Sequence, residues 1–121
     1  MKEYDFFVGI FTDGIMSLEE IRNEAQVQNW APVLVLKTDN GIVVPLFRDY
    51  QTCFNFMKRN TPKGQLIGIM GMSEVDTSRF TNKGWKIDWH TYPKLYTNRP
   101  GFEIAAEVIE SDFNLFVKGN R

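Results

Sequence analysis

Length, composition and charge exclude several classes of protein. The 121 residues are 43% hydrophobic and 24% charged, which is ordinary globular usage and argues against a disordered, collagen-like or coiled-coil chain. A formal net charge of −1 argues against a polyanion binder driven by overall charge. The length suits one globular domain, residues 1 to 121, with a core of its own.

Cysteine and hydropathy patterns limit the compartment and the cofactors. One cysteine, Cys53, cannot form an internal disulfide, and no Cys/His cluster has zinc-ligand spacing. We therefore expect no metal and no cofactor. Apolar runs fall short of the roughly 20 residues of a membrane span, and residues 1 to 5 lack the basic region of a signal peptide. The expected location is cytoplasmic, with no membrane contact.

The first elements are a buried strand and a surface helix. Residues 4 to 11 are aromatic and β-branched apart from Asp5 and Gly9, which predicts a strand buried on both faces. Ser17 and Glu20 have the spacing of a capping box, so a helix is predicted from Leu18.

A hairpin is predicted around residues 33 to 47. Asn40 and Gly41 lie between two apolar runs, and this pair favours a two-residue type I′ turn because both central residues need positive φ. Strands 33–37 and 42–47 should therefore be antiparallel neighbours. Pro45 cannot donate a ladder hydrogen bond, so the second strand should either lie at a sheet edge or be bulged there, and the edge is preferred.

An amphipathic helix should follow the hairpin. Apolar residues recur from Tyr50 to Met57 at helical spacing, Asp49 is the predicted N-cap, and Pro62 blocks continuation. Cys53 lies within the apolar stripe, where a free cysteine normally behaves as a small buried hydrophobe.

The second half of the chain contributes further strands. Residues 66 to 72 form an apolar run of strand length, and residues 85 to 90 alternate, with the tryptophans predicted to face the core. Residues 102 to 113 fit either a strand or a helix, and their Ala and Glu content favours helix. The chain is therefore predicted to be α+β, with a mixed or antiparallel sheet of about five strands and two or three packed helices.

The candidate site lies on the strand from Trp85 and the loop that follows it. This loop, residues 92 to 101, is long and contains two prolines, and such loops are often functional. The predicted binding residues from strand and loop are Lys86, Asp88, His90, Tyr92, Lys94, Tyr96 and Arg99.

Three functions are compatible with these residues. In a small enzyme, His90 would be the general base, oriented by Asp88, although residues two apart on a strand are roughly 7 Å apart and a direct bond is not favoured. In a binding protein, the basic aromatic stretch 79–99 would hold a small molecule or single-stranded nucleic acid by stacking and charge. The favoured prediction is a non-enzymatic binding or protein-interaction module that meets a protein partner, or a second copy as a homodimer, through the Pro45-bearing edge strand or an aromatic surface patch.

Overall fold

One sheet contains every strand that the structure describes. The computed structural model describes residues 4–11, 19–20, 23, 30–61, 67–90, 96, 99–110 and 117–119. Its strands are β1 (Phe6–Phe11), β2 (Trp30–Thr38), β3 (Gly41–Phe47), β4 (Ile67–Met72), β5 (Lys86–His90), β6 (Glu103–Glu110) and β7 (Val117–Gly119). The predicted strands at residues 4–11 and 66–72 are thus confirmed.

The sheet is mixed. Its strand order is β5-β3-β2-β1-β4-β7, and β6 pairs with β2. The β3 to β5 pair is parallel, and the other pairs are antiparallel. Seven strands with packed helices confirm the predicted α+β class and exceed the predicted number of strands.

The main helix, α1, spans Tyr50–Asn60 and begins where the sequence predicts. The Thr52 amide donates to Asp49 Oδ2 over 2.9 Å, which satisfies one of the free N–H groups of the first turn. A 3₁₀ helix (Glu74–Thr77) and a short helix α2 (Ser78–Thr81) follow β4. Of the helix predicted from Leu18, the structure describes only residues 19, 20 and 23, which are helical.

The β2–β3 hairpin is confirmed, with its turn one residue earlier than predicted. Thr38 pairs with Gly41, so the two turn residues are Asp39 and Asn40. Gly41 follows them with a φ of +120°, a conformation that favours glycine. The Thr38 hydroxyl accepts from the Asn40 amide and donates to the Gly41 carbonyl, which closes the turn.

Pro45 does not mark a sheet edge, and that prediction is wrong. Strand β3 pairs with β5 from Val43 to Phe47 on one side. On its other side, its described pairings are with β2 up to Val43 and with β1 at Phe47. Pro45 lies between these two pairings, where the ladder is interrupted and a missing N–H costs little.

Residues 103 to 110 form a strand, so the prediction of a helix is wrong. All eight residues of β6 pair with β2, from Trp30↔Glu110 to Lys37↔Glu103. The strands meet in an antiparallel ladder that a helix could not provide. Pairing with a distant segment therefore outweighs the helix propensity of Ala and Glu.

Both faces of the sheet are covered. One face packs its valines with Phe80 of α2, and the other face, which includes Leu34 and Leu36, packs against Cys53, Phe56 and Met57 of α1. Strand β1 is antiparallel to both β2 and β3, which are antiparallel to each other, so the sheet must bend where the three strands meet. Near the end of α1, Asn60 contacts Tyr96 and Phe56 contacts His90 of β5.

Candidate functional site

The predicted site begins on β5, which is the last strand of the sheet beyond β3. Lys86, Asp88 and His90 alternate along it, so they project from the same side. Their exposure decreases along the strand: Lys86 is exposed, Asp88 is half-buried and His90 is buried. The three residues do not form the predicted solvated face.

His90 and Trp89 are placed opposite to expectation. His90 was predicted to face water, yet its ring packs 5.3 Å from the ring of Phe56 and 5.5 Å from that of Phe47. Trp89, predicted to be buried, is 38% exposed. The reason is that both faces of the sheet are covered, so alternation cannot separate a core face from a water face.

Trp89 takes part in a surface cluster that sequence reasoning missed. Its ring packs 5.5 Å from that of Phe6, and the Arg48 guanidinium lies 3.8 Å above it. Arg48 also pairs with Glu74. Arg48 is far from residue 89 in sequence, and no local signal in the chain links the two.

Asp88 and His90 are hydrogen-bonded despite their spacing. His90 Nε2 lies 3.0 Å from Asp88 Oδ2. The side chain of His90 is 1% exposed, whereas that of Asp88 is 46% exposed. In an acid-base pair the histidine normally faces the substrate and the carboxylate supports it from behind. Here the carboxylate faces solvent, which is the reverse arrangement.

The loop contributes two described site residues, Tyr96 and Arg99. Tyr96 is buried, its amide donates to Asn60 Oδ1 of α1 over 2.5 Å, and its ring lies 6.0 Å from that of His90. The Arg99 guanidinium lies 5.1 Å from the Tyr96 ring. Tyr92 and Lys94 lie outside the described residues. A hydrogen bond connects Asp88 to His90, and ring contacts connect His90 to Tyr96 and Tyr96 to Arg99. These four predicted site residues are therefore neighbours.

The reactive groups of this region are buried in the core. Cys53 is fully buried in the α1 layer, as predicted, and its burial raises the pKa of its thiol well above the usual value. A thiol that is neutral and inaccessible is a poor nucleophile. In the part of the chain that the structure describes, no group of His, Cys, Asp and Glu could hold a metal ion.

The basic residues of the aromatic stretch 79–99 contact different neighbours. Arg79 Nε lies 3.0 Å from Asp76 Oδ1, and Arg79 donates to the Glu110 carbonyl over 2.8 Å. Lys83 Nζ lies 5.7 Å from the Trp85 ring. A cleft of about 670 Å³ lies beside these residues and is also lined by acidic Asp76 and Glu110. Its charges are balanced, so it is not a basic groove.

A more distinctive surface lies on β6. This strand pairs with β2 along one edge, and its outer edge meets no strand within the described ranges. Val108 is 49% exposed and Phe102, just before the strand, is 37% exposed. The sequence signal was the alternation of apolar residues from Phe102 to Val108, which helix propensity outweighed in the prediction.

Comparison with protein-family models, with curated proteins and with solved structures gives no significant match. Nor does any helix among the described residues have the length and apolar character needed to cross a bilayer. The function must therefore be inferred from the site.

Proposed function

We propose that this chain is a non-enzymatic protein-interaction module that binds an extended partner strand along the outer edge of β6. The observation that carries the proposal is an eight-residue strand paired on one edge only, among the described residues, and flanked by exposed apolar side chains. Such an edge offers a row of backbone donors and acceptors to another chain.

The edge of β6 lacks several of the features that usually protect edge strands. Proteins shorten such strands, bulge them or place Pro and Lys on them. Strand β6 contains neither residue, and it pairs with β2 residue by residue without a bulge, but it does carry three glutamates. Arg79 covers one end by donating to the Glu110 carbonyl. No other described residue hydrogen-bonds to the remainder of this edge, which supports pairing there with a protein partner or a second copy.

The other two functions have less support. A general base at His90 conflicts with a side chain that is 1% exposed. A nucleic-acid surface over residues 79 to 99 conflicts with the engagement of Arg79 by Asp76 and with the burial of Tyr96. Cytoplasmic location stays a prediction from the sequence.

Hydrogen exchange tests the proposal directly. A library of capped eight-residue peptides, which includes acidic, basic and neutral sequences, is added to the full chain. Binding at the edge should slow amide exchange within residues 103–110 more than elsewhere, because the partner strand supplies hydrogen-bond acceptors. The same protection should grow with protein concentration if the partner is a second copy.

A matched pair of variants locates the interaction. Val108→Lys replaces an exposed apolar side chain of β6 with a lysine and should abolish the protection, since lysine is the charged residue that most often blocks pairing at an edge strand. Val75→Lys makes the same change at a residue of the 3₁₀ helix that is even more exposed, and it should leave the protection intact. A strictly monomeric chain with no protection at 103–110 by any peptide would contradict the proposed function.

A further inference from the structure

We propose that the strand added to β6 is a basic extended segment in which Lys or Arg alternates with apolar residues. This inference rests on the proposed function and specifies the chemistry of its partner. It follows from the two different faces that β6 presents along its open edge.

One face of β6 is apolar up to Val108 and ends at Glu110. Directly paired residues of neighbouring strands share a face, and Ile104 and Ala106 pair with Leu36 and Leu34. Alternation adds Phe102 and Val108 to this face, and both are exposed. An added strand would place every second side chain beside this apolar row.

The opposite face carries two acidic side chains. Glu103 and Glu107 lie on it four residues apart, which is roughly 13 Å along a strand. Lys37 Nζ lies 3.3 Å from Glu107 Oε2 and balances one carboxylate. No ion pair involves Glu103 in the described part of the chain, and Glu103 is exposed. Side chains of an added strand that face this row should therefore be cationic.

Charge also favours a different partner over a second copy. Opposite residues must share a face, so an antiparallel pair of β6 strands centred on Ala105 would place Glu103 opposite Glu107, and a pair centred on Glu107 would place the two Glu107 side chains opposite each other. Like charges directly opposite each other destabilise a strand pair. The Lys or Arg side chains of a basic segment would attract the β6 glutamates, whereas the glutamates of a second copy would repel them.

Four fluorescent eight-residue peptides test the pattern. The first alternates Lys and Val, the second alternates Gln and Val, the third alternates Glu and Val, and the fourth has four Lys followed by four Val. Fluorescence anisotropy with the full chain at low salt measures binding, and hydrogen exchange locates it. Each cross-strand ion pair contributes roughly a 1.4- to fivefold gain in affinity. The Lys-Val peptide should therefore bind about fivefold tighter than the Gln-Val peptide and protect residues 103–110.

Charge reversal in the protein should reverse the preference. Glu103→Lys should weaken binding of the Lys-Val peptide about tenfold, since an attraction becomes a repulsion, and should strengthen binding of the Glu-Val peptide. Glu19→Lys changes the net charge equally at an exposed helical residue outside the sheet and should leave the order of the peptides unchanged.

The outcomes separate this inference from the proposed function. Equal binding of the Lys-Val and Gln-Val peptides, with residues 103–110 protected, would overturn the basic partner and leave strand addition intact. Equal binding of the alternating and block peptides would overturn it as well, since charge alone would then suffice. Self-association at the edge without peptide preference would assign the site to a second copy. No protection with any peptide would overturn both proposals.

Discussion

His90 is a core residue of this protein, and its removal should reduce stability. Its ring contacts those of Phe47, Phe56 and Tyr96. His90→Ala would leave a cavity among these rings and should lower the free energy of unfolding by about 2–4 kcal/mol. Lys86→Ala, at an exposed residue of the same strand, should change it by less than about 0.5 kcal/mol. Denaturant titration measures both, and an unchanged midpoint for His90→Ala would contradict the core assignment.

Asp76 should give the protein part of its acid sensitivity. Burial acts to raise the pKa of Asp76, but hydrogen bonds from the Ser73 amide and hydroxyl and from Arg79 outweigh it, so the pKa is lowered. A carboxyl with a lower pKa in the folded state stabilises the fold above its unfolded pKa, about 3.9, and this contribution is lost as pH falls through the folded pKa.

Asp76→Asn should therefore destabilise the protein by about 1 kcal/mol at neutral pH, and this difference should shrink as the pH falls below about 3.9 and through the lowered folded-state pKa of Asp76. Thermal unfolding of both proteins across this pH range measures the difference. A difference that persists unchanged in acid would show that the ionised carboxylate is not its source.

At the scale of elements, Asn60 connects the end of α1 to the segment that contains Tyr96. Its Oδ1 accepts from the Tyr96 amide, and its Nδ2 donates to the Phe56 carbonyl. Asn60→Ala leaves buried polar groups without these bonds and should cost about 2–3 kcal/mol of stability. Asn55→Ala is the matched change on the same helix, where the side chain bonds only locally to Gln51. In denaturant titrations, Asn60→Ala should lower the free energy of unfolding several times more than Asn55→Ala does.

The elements that the sequence predicts well are those whose ends are marked locally. Asp49 caps the start of α1, and Gly41 follows the turn residues Asp39 and Asn40. The sequence therefore predicts both the helix and the hairpin. Strand β6 was not found, because Ala and Glu favour helix and only pairing with β2 overrides them. Pro45 was misplaced for a similar reason, since the interruption in the ladder that accommodates it depends on where β1 crosses.

The candidate site was predicted less well than the fold. Alternation assigned His90 to solvent, but an alternating pattern shows which residues share a face and not what covers that face. The rings of α1 cover it here. The Asp88 to His90 bond was also unfavoured by strand spacing, and only the side-chain conformations in the packed structure show it. The β6 edge depends on the pairing of residues 103–110 with β2, which the local composition of this segment does not indicate.

At the scale of the whole molecule, α1 and the sheet should unfold together. Cys53 is fully buried between them, and its thiol has a raised pKa through burial. The three tryptophans lie on or beside β2 and β5, so their fluorescence follows the sheet. A thiol reagent should therefore not react with the native protein, and its reaction should appear with the same guanidinium midpoint as the fluorescence change, as two-state unfolding requires. Reaction of one thiol per chain in concentrated guanidinium is the control, and reaction that precedes the fluorescence change would show that α1 detaches from an intact sheet.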